Sequence, residues 1–258
     1  MKKQLGSLLA SFCLAALLIA CSRAPQHIQE KQQVQQTASV QKAAAAERLG
    51  TQWGDEVRSN VSNVDLRRTT ATPIAETVVH YAGKSYQGRR VTAIALAAGK
   101  IDFSVQSDRR ALPLVRDGSH YYLQGAAGAA YQLVYRNRSS NTYEIVASVD
   151  GLDVINGRAA SRNSSGYVLY PHDTLIIEGF RKSDSAVASF IFSKPGDAYA
   201  ANTLADDARN IGVIGTVVYE LYDPSARTTQ MPLRVAPNPN APQAFPADRD
   251  SGYAQPPR

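Results

Sequence analysis

The chain has 258 residues, of which 44% are hydrophobic, and a formal net charge of +6 at pH 7. Lys and Arg occur in short runs only, so this mild excess does not predict a nucleic-acid binder, which needs a basic stripe or patch. Both cysteines, Cys13 and Cys21, lie near the start of the chain, which excludes disulfides and thiolate metal sites from the rest of it.

The first segment has the pattern of a secretory signal. Lys2 and Lys3 precede an apolar run from Leu8 to the small residue Ala20. This run is shorter than the ~20 residues that a transmembrane helix needs. Residues 1–20 are therefore predicted to be a cleaved signal peptide, whose removal lowers the net charge from +6 to +4.

The end of this run, Leu18-Ile19-Ala20-Cys21, resembles the lipobox of bacterial lipoproteins. The resemblance implies cleavage before Cys21 and lipidation of its sulfur and amino group, and two or three acyl chains make a firm membrane anchor. Because Ser22 and not Asp follows, we expect an outer-membrane protein that faces the periplasm. The alternative is an ordinary signal peptide in which Cys21 is incidental.

The segment after the anchor is predicted to be a flexible tether. Residues 21–46 are rich in Gln, Ala, Lys and Ser and carry few large apolar groups, so they bury too little to offset the cost of ordering. Residues 47–76 are predicted to be a linker. Within this linker, Val57, Val61 and Val64 are at helical spacing. They predict a short amphipathic helix between Trp53 and Arg68.

Residues 77–222 change to short runs rich in Val, Ile, Tyr, Phe and Thr, separated by Gly, Asn, Ser and Asp. Such runs predict strands, which are Thr77–Tyr81, Arg90–Ala97, Ile101–Val105, His120–Gln124, Ala130–Arg136, Tyr143–Val149, Tyr167–Tyr170, Thr174–Phe180, Val187–Phe192 and Gly212–Tyr222. The fold class is therefore mainly β, with an antiparallel β-sandwich of jelly-roll-like or Ig-like type.

Two breaks between the strands carry turn signals. The polar run Asn137–Asn141 predicts a hairpin loop between the flanking strands. Asn156-Gly157 predicts a type I′ turn, because both central residues of that turn need positive φ. Residues 223–258 hold eight of the thirteen prolines and are predicted to be a disordered Pro-rich tail.

Three acidic residues are candidates for chemistry. Asp150 and Asp153 could bind Ca²⁺ through oxygen ligands, but their spacing is not that of a calcium loop, and turn formation is favoured. Alternatively, carboxylates such as Asp150, Asp153 or Glu178 could meet in one cleft as the pair of an envelope polysaccharide or peptidoglycan hydrolase. A cleft with two carboxylates roughly 5–10 Å apart would support that alternative.

The histidines and tyrosines offer weaker signals. His27 lies in the predicted tether, and the other three, His80, His120 and His172, show no metal-binding spacing. Gly125–Gly128 is interpreted as a small-residue turn and not as a phosphate-binding loop. A carbohydrate-binding module would place several tyrosine rings on one sheet face, and the candidates are Tyr121, Tyr122, Tyr167 and Tyr170.

About half of the chain resembles a set of uncharacterised β-rich bacterial envelope proteins. The resemblance rests on four stretches, which are Ser148–Gly157, Gly166–Pro171, Ile177–Arg181 and Val213–Glu220. The resemblance implies a shared domain but no activity. We therefore predict a non-enzymatic binding or scaffolding domain without catalytic residues, metal or cofactor. Its expected partners are the membrane, through the lipid, and an envelope protein complex or cell-wall glycan, with no nucleic acid.

Overall fold

A computed structural model describes residues 47–203, 208–224 and 257. This part of the chain is mainly β, as predicted. Its strands, in chain order, are β1 Gly50–Arg58, β2 Arg67–Arg68, β3 Ala75–Ala82, β4 Arg89–Val91, β5 Ile94–Leu96, β6 Ile101–Ser107, β7 Arg110–Ala111, β8 Leu114–Asp117, β9 His120–Gln124, β10 Ala130–Asn137, β11 Tyr143–Val149, β12 Leu152–Asp153, β13 Tyr167–Leu169, β14 Thr174–Ile177, β15 Gly179–Ser183, β16 Ala186–Ser193 and β17 Val213–Tyr222.

The strands form two sheets. The first sheet has the strand order β1-β16-β10-β6-β5, and three further strands pair with its members: β14 with β10, β15 with β16 and β7 with β6. The second sheet has the strand order β12-β11-β17-β3-β9-β8-β4, and in addition β13 pairs with β11 and β2 pairs with β17. Every pairing in the described residues is antiparallel except that of β3 with β9. The predicted two-sheet, mainly antiparallel architecture is confirmed.

One hydrophobic core joins the two sheets. The first sheet contributes large aromatic residues, among which Tyr131 stacks on Phe192 with ring centroids 4.2 Å apart. The second sheet contributes mostly branched aliphatic residues, such as Ile145 and Ile214. Aromatic pairs of this kind add stability beyond the area that they bury.

The predicted strands match the observed ones closely in the centre of the domain. His120–Gln124 and Tyr143–Val149 begin and end as predicted. The predicted strand Arg90–Ala97 is divided into β4 and β5, which lie in different sheets, and Thr174–Phe180 is divided into β14 and β15. A break of one or two residues is enough for a strand to bend into a new pairing, and composition does not reveal such breaks.

The predicted helix between Trp53 and Arg68 is wrong. Residues Gly50–Arg58 form β1, which pairs with β16, and no helix follows before β2. The spacing of the three valines imitates a helix, but the backbone amides and carbonyls of β1 are bonded to a neighbouring strand instead. Pairing along β16 also places β structure well before residue 77, at which the sequence predicted the domain to start.

The predicted hairpin at Asn137–Asn141 is also wrong. β10 belongs to the first sheet and β11 to the second, so this run crosses between sheets. Its polar composition has a specific use, because the buried Asn137 amide organises the corner. The Asn137 Nδ2 donates to the carbonyl oxygens of Asn141 and Tyr170, at 2.7 and 2.9 Å, and its Oδ1 accepts from the Ser139 backbone N–H.

The type I′ turn lies elsewhere than predicted. The chain does reverse after Asp153, but only Gly157 of the Asn156-Gly157 pair has positive φ, so this turn is not type I′. Positive φ at both central residues occurs instead at Asp150-Gly151, which joins β11 to β12. Asp-Gly is one of the sequences that this turn prefers.

Regular helix is limited to short 3₁₀ turns in the described residues: Ala97–Gly99, Pro195–Asp197, Tyr199–Asn202 and Ala208–Asn210. Within the same part of the chain, no helix combines the length and the apolar content that a membrane crossing would require. The predicted signal peptide, lipobox and tether and nearly all of the predicted tail lie outside the described residues.

Gly179 provides a test of the packing of β15 against β16. A Cβ atom on Gly179 would lie 1.9 Å from the carbonyl oxygen of Ala188, so the backbone would have to move. We expect Gly179→Ala to lower the free energy of unfolding by about 1–3 kcal/mol in urea denaturation. Gly196→Ala is the control, because nothing lies within 4 Å of a Cβ there. Equal stability of the two variants would contradict the close packing of β15 on β16.

Candidate functional site

Asp150 is the most unusual candidate residue, because its carboxylate is buried between the two sheets. It occupies the first central position of the β11–β12 turn. Its oxygens accept hydrogen bonds from the backbone N–H groups of Thr51 and Gly212, at 2.7 and 2.8 Å, and from the Tyr81 hydroxyl at 2.6 Å. All three donors come from distant parts of the chain.

The hydrogen bonds continue from Asp150 into the first sheet. The Thr51 hydroxyl lies 2.7 Å from the Tyr81 hydroxyl and 2.6 Å from the Tyr131 hydroxyl, and either partner of each pair can donate. Asp150 and Tyr81 belong to the second sheet, whereas Thr51 on β1 and Tyr131 on β10 belong to the first. We call these four residues the inter-sheet network.

Burial has a marked effect on the protonation of this network. Loss of water contact raises the pKa of Asp150 to about 6, although the hydrogen bonds from Tyr81, Gly212 and Thr51 lower it. Burial likewise raises the pKa values of Tyr81 and Tyr131 well above the ordinary tyrosine value, so both hydroxyls stay protonated. The arrangement holds a carboxylate in place and leaves its oxygens facing protein donors.

Asp153 is also buried and also bonded to the backbone. Its Oδ1 accepts from the N–H groups of Ile155 and Asn156, at 2.7 and 3.1 Å, which shapes the turn that follows β12. Burial raises the pKa of Asp153 above its ordinary value. Glu178, the third candidate carboxylate, is only partly buried and lies between β14 and β15. Among the described residues, no group of three or more His, Cys, Asp or Glu could hold a metal ion.

The histidines of the folded part separate into two places. His80 on β3 and His120 at the start of β9 lie near Tyr122, with ring centroids 5.7 and 6.4 Å from it. Burial lowers the pKa of His80, and the nearby His120 adds to this effect. His172 lies in an exposed turn with positive φ, and His27 is outside the described residues.

The four candidate tyrosines do not form one row of exposed rings. Tyr121 packs against the core, whereas Tyr122, its neighbour on β9, points to the outer face of the second sheet. Tyr167 lies beside the guanidinium of Arg181, and Tyr170 is exposed after β13. The arrangement predicted for a carbohydrate-binding module is therefore not the observed one.

Arg181 is a buried residue that the sequence did not single out. Its guanidinium donates to the Tyr167 hydroxyl at 3.0 Å, to the Ser59 backbone oxygen and, at 3.1 Å, to the Ser59 hydroxyl. It thereby fixes the chain after β1 to β15. Arginine is usually exposed, so its type gave no signal of this role.

One half of the outer face of the second sheet, over β11 and β17, is covered. The loop after β12 places Ala160 on Val146 and Val217. Arg68 secures this loop, since it pairs with Glu144 at 2.6 Å and donates to the Ser164 carbonyl oxygen at 2.6 Å.

The other half of this face, over β3, β9, β8 and β4, carries an aromatic group. The Tyr86 ring, from the loop after β3, stacks on Tyr122 with centroids 4.9 Å apart and an interplanar angle of 25°. His80 and Arg90 lie in the same row across the sheet, because β3 pairs with β9, β9 with β8, and β8 with β4. Register partners on neighbouring strands project to the same face.

Exposed cations lie on both sides of this part of the sheet. On the outer side, the Lys84 Nζ lies 5.8 Å from the centre of the Tyr86 ring, and Arg90 lies in the row of Tyr122. Arg116 and its register partner Arg89 lie on the opposite side with Tyr121, whose ring centre is 5.9 Å from the Arg116 guanidinium. We call the following outer set the cationic-aromatic surface: Lys84, Tyr86, Arg90, His120 and Tyr122.

The cations of this surface lack acidic partners within the described residues. The ion pairs seen there join other residues, namely Arg68 with Glu144, Arg138 with Asp102, Arg162 with Glu76 and Lys182 with Glu56. Acidic groups also lie at this surface, since Asp117 is the register partner of His120 and Glu47 is close to Tyr86. The surface is therefore mixed in charge. Sequence reasoning missed it because Tyr122 is far from Lys84 and Arg90 along the chain.

The protonation of Asp150 predicts a pH dependence of stability. Its carboxyl has a pKa of about 6 when folded and about 3.8 when unfolded, so between these values the folded state holds a proton that the unfolded state has lost. The free energy of unfolding should fall by about 3 kcal/mol as the pH rises through this window.

Asp150→Asn should abolish this fall in urea denaturation at stepped pH. Asp197→Asn is the matched control, because Asp197 is exposed. Tyr81→Phe removes a hydrogen bond that lowers the pKa of Asp150, so it should extend the fall to higher pH. A pH profile that is the same in the wild type and in Asp150→Asn would show that Asp150 does not titrate as described.

No protein-family model, curated protein or solved structure matches this chain. The resemblances to bacterial lipoproteins at Leu18–Cys21 and to β-rich envelope proteins therefore stay predictions.

Proposed function

We propose that the protein is an outer-membrane lipoprotein, anchored through lipid on Cys21, whose β-domain is a non-enzymatic binding or scaffolding module that faces the periplasm. The lipobox-like sequence Leu18–Cys21 supports the anchor. Residues 21–46 would act as a tether, with an average end-to-end distance of roughly 25–30 Å as a flexible coil. The domain would then meet its partner at a distance from the membrane.

The distribution of polar groups supports binding over catalysis. The carboxylates best suited to chemistry, Asp150 and Asp153, are buried and accept hydrogen bonds from backbone amides. Exposed polar groups beside aromatic rings occur instead on the cationic-aromatic surface. A hydrolase of the kind considered above needs two carboxylates that face one substrate, and neither aspartate is exposed for that purpose.

The anchor is tested by replacing Cys21. We expect the wild-type protein to incorporate labelled fatty acid and to fractionate with outer membranes, and Cys21→Ala to do neither, because the thioether forms on the Cys21 sulfur. Ser22→Ala is a control that leaves the cysteine in place. Lipid labelling of Cys21→Ala at the wild-type level would contradict the anchor.

The binding role is tested by crosslinking intact cells and purifying the wild-type lipoprotein under denaturing conditions. We expect the same envelope protein or cell-wall glycan to be recovered in independent preparations. Its yield should fall with Cys21→Ala, since the tethered domain would no longer be held near the membrane. Recovery of neither protein nor glycan would contradict a scaffolding or binding role.

A further inference from the structure

The described chain enters the domain at one end of the second sheet. The backbone oxygen of Glu47 accepts a hydrogen bond from the N–H of Gly83, directly after β3, at 2.7 Å. Near the same end of β3, His80 pairs with Val213, the first residue of β17. We call this end of the domain the entry pole. The predicted tether precedes Glu47, so it joins the domain here.

β17 leads from the entry pole to the opposite end of the domain. It has ten residues and therefore spans about 30 Å at the usual rise of a strand. Its last residue, Tyr222, pairs with Arg67 of β2. The corner between β10 and β11 lies at the same end, because the Asn141 side-chain amide donates to the Glu220 carboxylate at 2.8 Å. We call this end the distal pole, which holds residues 62–67, 137–142, 170–173 and 220–223.

Large exposed hydrophobic side chains of the described residues are concentrated at the distal pole. There are four of them, and three, Val64, Tyr170 and Tyr222, lie at this pole. Val64 comes three residues before Arg67, the partner of Tyr222. The fourth, Ile176, lies on β14, and none lies at the entry pole. Single exposed hydrophobic residues are normal on a protein surface, whereas several at one end indicate an interaction site.

The two tyrosines of the distal pole are held by buried polar residues. The buried Asn137 amide donates to the Tyr170 backbone oxygen at 2.9 Å. Next to Tyr222, the buried Thr142 hydroxyl donates to the Asp223 carboxylate at 2.7 Å. These bonds fix the backbone beside both rings before a partner arrives, which reduces the entropy lost on association. A tyrosine ring adds a large contact area and has only two rotatable side-chain bonds to order.

We propose that the distal pole docks on another protein of the envelope, with Tyr170 and Tyr222 as its anchoring side chains; this inference rests on the proposed function as a tethered binding domain. A domain tethered at its entry pole can present the opposite end away from the membrane. Tyrosine is enriched in protein interfaces and among the residues that carry most of the binding energy. The partner is expected to offer apolar pockets with a polar group for each hydroxyl.

The charges of the distal pole favour a protein over a lipid surface. Binding to a lipid surface combines inserted apolar side chains with positive charge. The exposed charges here have both signs, since Asp65 and Asp173 accompany Arg67. A polar rim of mixed charge around apolar anchors is the usual composition of a protein interface.

The test uses the photocrosslinking amino acid benzoylphenylalanine at single positions of the full lipoprotein in intact cells. In place of Tyr170 or Tyr222 it should give a covalent product with one envelope protein, the same from both positions, identified by mass spectrometry of the purified product. In place of Gln124 it should not give this product. Gln124 is the comparison because it is exposed and pairs with Ala82 at the entry pole.

A second measurement keeps the crosslinker at one position, in place of the exposed His172, and changes a neighbouring side chain. Tyr222→Ser should lower the yield of the same product about tenfold, as expected for loss of an anchoring tyrosine. Ile176→Ser is the matched control, because it removes an exposed hydrophobic side chain outside the distal pole. It should leave the yield unchanged. Thermal unfolding of both variants checks that folding is retained.

Equal product from Gln124 and the two tyrosine positions would overturn the proposal, as would an unchanged yield in Tyr222→Ser or an equal loss in Ile176→Ser. Product with lipid alone would assign the distal pole to a membrane, and product only within this chain or between two copies of it would assign the pole to self-contact. Each of these results also rejects the proposal.

The proposed function fails separately from the location of its interface. Whole-cell crosslinking that recovers a partner, together with no product from Tyr170 or Tyr222, would retain the binding role and reject only the distal pole. None of these results would alter the fractionation expected of Cys21→Ala, which tests the anchor alone.

Discussion

The buried carboxylate of Asp150 joins the two sheets through hydrogen bonds from three distant parts of the chain. A purely apolar interface between two sheets tolerates many packings of similar energy. Hydrogen bonds to the Thr51 and Gly212 amides and to Tyr81 have fixed directions, so they select one placement of β1 and of the start of β17. Burial makes the carboxyl a weaker acid in spite of these bonds, so the fold becomes less stable as Asp150 ionises.

The two faces of the second sheet differ in what covers them. The inner face is closed by the core and by the inter-sheet network. On the outer face, Arg68 and Glu144 hold a loop over β11 and β17, whereas the half over β9 and β8 carries the stacked rings of Tyr86 and Tyr122 with Lys84 beside them. Most buried polar side chains of the described residues have hydrogen-bond partners, and the exceptions are the hydroxyls of Ser148 and Thr203.

Much of the fold could be predicted from local composition, because alternating apolar and β-branched runs require strands whatever their neighbours are. Tyr143–Val149 is such a run. The errors occurred where pairing partners decided the outcome. β1 contains residues at helical spacing, yet it pairs with β16, and the polar run Asn137–Asn141 joins two sheets and not two hairpin strands. Asp150 was correctly assigned to turn formation, but its partners are up to 99 residues away, so its burial could not be inferred.

The sequence by itself determined the class of fold, the turn-forming role of Asp150 and Asp153, and the prediction of an anchor at Cys21, because each depends on neighbouring residues. Tertiary structure alone decided which strands share a sheet, which carboxylates are buried, and that Lys84, Arg90 and Tyr122 lie on one surface. These properties depend on long-range strand pairing, in which the partners are set by packing of the whole core. The cationic-aromatic surface therefore had no signature in any single stretch of the chain.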